Sequence, residues 1–123
     1  GCAAPVWALD CSTSPVWIHP MVHHCVFLSF KPTITQADKA ALWVELGAMV
    51  GQIEGLQEIR SGVNARYEDL DHGFADGFIA VFDSPQALAA YQTHPAHQAL
   101  GAKLVRAALG GLQGLLVFDL EQK

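Results

Sequence analysis

Residues 77–83 read GFIAVFD, with a single charge at the far end. As a strand this stretch sets Phe78, Ala80 and Phe82 against Ile79 and Val81, so both faces are apolar. Residues 114–120, GLLVFDL, do the same: Leu115 and Val117 oppose Leu116, Phe118 and Leu120. An antiparallel sheet with one wet face shows apolar–polar alternation instead. Both faces of these strands therefore require cover.

The flanking sequence says what kind of sheet they belong to. After the central strand, Ser84-Pro85 supplies an N-cap and a first helical residue, and Pro95 restarts a helix over about 95–109, ended by Gly110-Gly111. Before it, YEDLDHGFADG (67–77) is acidic and glycine-bearing and reads as a loop. A weaker strand at 57–66 alternates Ile59, Ser61, Val63 and Ala65 with polar residues. Upstream, Thr35 and Asp38 form a capping box for a helix over 36–50, whose stripe is Leu42, Leu46, Met49 and Ile53, with Gly51 as C-cap and Gly55 as a turn. The first strand is VHHCVFLSFK (22–31), with His24, Val26, Leu28 and Phe30 on one face and His23, Cys25, Phe27 and Ser29 on the other. The order is β-α-β-β-α-β, an α+β ferredoxin-like fold with a four-stranded antiparallel sheet.

Two helices cover one face of such a sheet. At about 25 cal/mol per Å² of apolar area, leaving the second face in water forfeits several kcal/mol. A second copy is the economical cover, giving a two-fold homodimer, a dimeric α+β barrel, joined through the face of Phe27, Ile79 and Val81. The alternative cover is the N-terminal segment. Residues 1–20, GCAAPVWALDCSTSPVWIHP, lack strand or helix period and read as an extended arm with Trp7 and Trp17 as anchors. The domain proper then spans 21–123.

Composition narrows the partners. The chain has 123 residues and a net charge of −5, and its seven Lys and Arg are scattered, so no basic stripe addresses nucleic acid or an anionic membrane. No apolar run approaches the roughly 20 residues of a membrane-spanning helix. Three cysteines without CxxC spacing fit a reduced, cytoplasmic protein; the opening GCAAP leaves a lipid-modified Cys2 in a bacterial cell envelope as the alternative.

The chemistry-bearing stretch is AYQTHPAHQAL, 90–100. With Pro95 at the first helical position, His94 is the N-cap and His97 the third residue. Leu100, Gly101, Leu104 and Ala108 follow His97 at helical spacing, so His97 heads a buried stripe. Tyr91 lies three residues after Leu88 and turns inward on the preceding helix. His24, Val26 and Leu28 share one face of the first strand. If the helices pack on that face, Tyr91, His97 and His24 converge, with His94 adjacent and Val26, Leu28, Leu88 and Leu100 as an apolar wall. The positive end of a helix disfavours an imidazolium, so His97 is expected to be neutral. A neutral imidazole beside a phenol suits general acid–base work or the binding of a small, largely apolar molecule. The competing account makes His94 a cap and His97 a buried hydrogen-bond partner of Tyr91. No carboxylate or cysteine is placed to complete a metal shell around these histidines.

HHCVFLSFK at 23–31 together with AYQTHPAHQAL at 90–100 resembles the Dabb family, the stress-responsive A/B barrel domains, over about 21–121. The resemblance implies a ferredoxin-like dimer that needs no cofactor, in a family mostly without known activity. One plant branch cyclises polyketides with a Tyr/His pair, which corresponds to Tyr91 and His97 here as catalytic residues, with His24 and His94 beside them. Where that branch has a further histidine at the start of the third strand, this chain has Asp76. The functions implied are binding of a small hydrophobic molecule, or cofactor-independent cyclase, lyase or monooxygenase chemistry.

Overall fold

The computed structural model describes residues 20–123. The expected N-terminal arm, with Trp7 and Trp17, therefore lies, apart from Pro20, outside the described residues. The elements are β1 (Met21–Leu28), α1 (Gln36–Gly47), β2 (Leu56–Val63), β3 (Asp76–Phe82), α2 (Pro85–Thr93), α3 (Pro95–Ala107), a 3-10 turn (Gly111–Gly114) and β4 (Leu115–Gln122). The four strands form one antiparallel sheet in the order β2-β3-β1-β4. This is the ferredoxin-like fold, with all three helices on one side.

Local signals set most boundaries. The Thr35 hydroxyl accepts from the Asp38 amide at 3.0 Å, and the Asp38 carboxylate accepts from the Thr35 amide at 2.9 Å, closing the capping box. Those bonds hold the Asp38 carboxyl below its usual range. Ser84 caps α2 through the Ala87 amide, and Pro85 and Pro95 each open a helix.

Several ends fall short of the sequence expectation, each because another bond competes. β1 stops at Leu28, not 31. Ser29 and Lys31 turn their amides to the Gly114 and Ala107 carbonyls, and Leu109 donates to Ser29, tying this segment to the end of α3. α3 correspondingly ends at Ala107, where Ala108 turns extended and bridges Phe30. α1 ends at Gly47 rather than 50. Met49 and Ile53 still continue its apolar stripe from the following turns, and Gly51 takes its positive φ there instead of capping the helix. β2 ends at Val63, because the Asn64 side chain accepts from the Arg66 amide and Arg66 turns left-handed.

The core lies between sheet and helices. On β1 the buried residues are Val22, His24, Val26 and Leu28, all on the helix-facing side. Opposite them on β3 sit Phe82, Ala80, Phe78 and Asp76. Leu46, Met49, Ala87, Tyr91, Leu100 and Leu104 close the layer from above. Trp43 lies beside the Leu42/Leu46 stripe of α1. It is half-buried against Phe30 and Phe78, with ring centroids 6.1 Å from each.

Among the described residues, no element covers the other face of the sheet. Leu116, Phe118 and Leu120 are 46%, 58% and 50% exposed, in register with Phe27, Cys25 and His23 on β1. The Phe27 ring lies close over Gly77. A Cβ at position 77 would come within 2.6 Å of the Phe27 ring and 2.9 Å of the Val26 carbonyl, so only glycine lets this ring cover the sheet there.

Candidate functional site

The end of the helix–sheet layer nearest the start of β1 gathers four polar side chains into an apolar setting. Tyr91, from α2, is wholly buried. Its ring packs on His97, from the first turn of α3, at 4.1 Å between centroids, on Phe82 at 4.9 Å and on His24 at 6.0 Å. No protein group bonds the Tyr91 hydroxyl or His97 Nδ1 among the described residues, although both atoms are buried. His24 is engaged differently. Its Nδ1 lies 2.5 Å from Asp119 Oδ1 on β4. A carboxylate only accepts, so Nδ1–H donates, and in the neutral ring Nε2 is left as the acceptor.

Burial sets the protonation of the central pair. Loss of solvation pushes the Tyr91 phenol up to about 12 from an ordinary 10.0. Burial also pushes the His97 imidazole below its ordinary 6.5, the His24 and His94 charges act in the same direction, and the Gln92 backbone opposes them. At neutral pH the site therefore holds a protonated phenol, a donor, touching a neutral imidazole with an acceptor nitrogen.

These directions predict a pH profile for folding. The folded state binds His97's proton less readily than the unfolded chain, so this contribution is complete above pH 6.5 and is lost as pH falls through it. It binds Tyr91's proton more readily, so that contribution holds below pH 10.0 and is lost as pH rises toward 12. In thermal melts the His97→Gln variant should lose the decline below pH 6.5, and Tyr91→Phe the decline above pH 10. Wild-type slopes in both variants would assign the profile to other groups.

The remaining residues singled out from sequence have plainer places. His94 is the N-cap of α3, its Nδ1 accepting from the Ala96 amide at 3.0 Å. It borders a hollow of about 380 Å³ with Glu54, Gly55, Asp83 and Ala90. Val26, Leu28 and Leu100 are buried core, and Leu88 packs half-buried against it. A larger hollow of about 770 Å³ opens on the bare side of the sheet, walled by Phe27, Phe74, Ile79 and Leu116. Neither hollow has Tyr91, His97 or His24 in its wall. Asp76 stands apart from the cluster. It pairs with Leu28 in the β1–β3 register, four residues or roughly 13 Å along the strand from Ala80, the partner of His24. Its Oδ2 accepts from Lys39 Nζ at 3.1 Å, and that ammonium sits 5.2 Å over the Phe30 ring.

A family model described as the stress-responsive A/B barrel domain matches residues 22–122. The chain belongs to the Dabb family. This Dabb domain is 30% identical over 98 residues to the stress-response A/B barrel domain-containing protein HS1 of Arabidopsis thaliana, covering 80% of this chain and 86% of that one. It is 26% identical over 80 residues to the olivetolic acid cyclase of Cannabis sativa, covering 65% of this chain and 79% of the cyclase. Among solved structures, a dimeric ferredoxin-like protein of unknown function from Jannaschia sp. CCS1 superimposes with a TM-score of 0.77 at 33% identity, over 82% of this chain and 98% of that one.

Sequence reasoning missed Asp119. Its signal is the alternation of Leu115, Val117 and Asp119 along β4, which puts a carboxylate on the helix-facing side. Which β1 residue it meets depends on the β1–β4 register, where Asp119 pairs with His24.

Proposed function

We propose that this Dabb domain is a homodimer that binds a small, largely apolar carbonyl compound beside Tyr91 and His97. The observation that carries this reading is that the Tyr91 and His97 rings pack 4.1 Å apart while the Tyr91 hydroxyl and His97 Nδ1 are both buried with no hydrogen-bond partner among the described residues. An unpaired buried polar atom costs about 1–3 kcal/mol. Two such atoms on adjoining rings are what a site shaped for a polar ligand head would keep. A carbonyl oxygen would accept from the Tyr91 phenol, and neutral His97 would face the carbon next to it. The His24–Asp119 pair would supply a second fixed donor–acceptor set alongside. Val26, Leu28, Leu88 and Leu100 would give the surroundings their apolar character.

A second reading, turnover, is favoured by the protonation states. A neutral imidazole can take a proton from the carbon beside a carbonyl while the phenol hydrogen-bonds the oxygen as charge develops there. This is the acid–base step that a cofactor-independent cyclase or lyase needs, and the likeness to olivetolic acid cyclase supports it. Asp76, paired with Lys39 and away from the cluster, leaves this chain without the extra histidine of that branch.

Calorimetric titration with 2-undecanone tests binding. Saturable binding is expected, weakened at least tenfold by Tyr91→Phe and by His97→Gln. No binding to the wild type at millimolar ketone, or equal affinity in both variants, would reject the site.

A further inference from the structure

Resting on the homodimer reading, we propose that His23 makes that dimer acid-labile: the uncharged ring is sealed between the two sheets, and protonating it drives the copies apart.

The strand registers place His23 on the face away from the helices. Glu58, Val81, His23 and Leu120 form one row across that face from β2 to β4, and Arg60, Ile79, Cys25 and Phe118 form the next. β1 is an interior strand, between β3 and β4. His23 therefore stands away from either edge of the sheet, flanked by Val81 and Leu120. Among the described residues, no element lies over it.

Its nitrogens mark it out. Nδ1 is buried with no hydrogen-bond partner among the described residues, although the ring as a whole is only half-buried. A neutral imidazole can leave one nitrogen without a proton, whereas an imidazolium carries N–H on both. Charging the ring thus puts an unpaired donor at Nδ1, and the cost grows when the exposed side of the ring loses its water. A second copy laid on this face removes that water. The neutral ring is the form such an interface accepts.

No charge on the face offsets this cost. On β2, Glu58 and Arg60 bond each other at 2.8 Å and stand two strands from His23, roughly 10 Å away. At the end of β3, the Asp83 carboxylate lies against Gly55. On β1, burial and the Asp119 charge both push the Cys25 thiol up, so it stays uncharged. On β4, Asp119 and Glu121 pair with His24 and Val22 and share their helix-facing side, leaving Leu116, Phe118 and Leu120 on this one. A two-fold partner brings the same groups again. Histidine is the side chain that changes charge between pH 8 and 5, so the dimer should hold at pH 8 and weaken as pH falls.

A dilution series in the analytical ultracentrifuge tests this on the full chain at pH 8.0 and 5.5, at one ionic strength. Wild type is compared with His23→Phe and His23→Gln, and circular dichroism confirms the fold at both pH values. His24 and His97 are unchanged in the variants, so their titration cancels in the comparison. The wild-type dimer dissociation constant should rise about tenfold or more at pH 5.5, and that of each variant by less than about twofold. An equal rise in both variants would assign the response to other groups and overturn the switch. So would a wild-type constant that stays level in acid, or one that falls, which would place a carboxylate against the ring. If wild type is monomeric at pH 8.0 throughout the series, the homodimer reading itself fails.

Discussion

In the proposed homodimer, Phe118→Asp is expected to convert dimer to monomer. Phe118 sits mid-strand on β4, 58% exposed on the bare face, between Leu116 and Leu120 and beside Cys25 on β1. In a two-fold assembly built on this face, each dimer buries two copies of it. Burying a phenylalanine is worth about 1.5–3 kcal/mol, so the pair contributes roughly 3–6 kcal/mol before any cost of burying a carboxylate. At tenfold per 1.4 kcal/mol, the dimer dissociation constant should rise by about 10²- to 10⁴-fold. Sedimentation at low micromolar protein reads this directly. Val44→Asp, on the outer side of α1 where the side chain is 73% exposed, is the control and should leave the dimer intact. A dimer unaffected by Phe118→Asp would place the interface elsewhere, and the hollow beside Phe27 and Leu116 would need another cover.

The second large effect separates packing from polarity at two rings in contact. Phe82 and Tyr91 are both wholly buried, 4.9 Å apart. Phe82→Ala should destabilise the fold by about 3–5 kcal/mol, through lost transfer energy and the cavity left behind. Tyr91→Phe removes only a hydroxyl that no group among the described residues bonds, so stability should stay level or rise by about 1 kcal/mol. Denaturant titration measures both. A loss above 2 kcal/mol in Tyr91→Phe would mean that the hydroxyl has a partner in the folded protein. Little loss in Phe82→Ala would contradict the core described here.

The fold was legible because its signals are local. Thr35 with Asp38, Ser84-Pro85 and Pro95 set helix starts, and the two-faced pattern at 78–82 and 115–120 marks strands that need cover on both sides. The meeting of Tyr91, His97 and His24 followed from the same periodicities: 3.6 fixes which helical residues turn inward, and 2 fixes the face of β1. What the sequence could not show was relational. The Asp119–His24 contact spans 95 residues and depends on a strand register that no short pattern encodes. The Lys39–Asp76 pair needs the start of α1 placed over the start of β3. Trp43 lies outside the Leu42/Leu46 spacing, and its burial depends on Phe30 and Phe78 offering it a surface from other elements. Strand and helix ends slipped by two or three residues wherever a loop amide found a partner outside its own ladder, as Ser29 and Lys31 do.

The central claim is that the Tyr91 phenol and His97 imidazole receive the head of a carbonyl ligand. Its most direct test is the carbon-13 resonance of 2-undecanone labelled at the carbonyl, recorded with excess protein. A hydrogen bond from a phenol of raised pKa should move the bound carbonyl downfield of its position in an apolar solvent, and Tyr91→Phe should abolish that displacement. The same bound resonance in wild type and Tyr91→Phe would contradict the account.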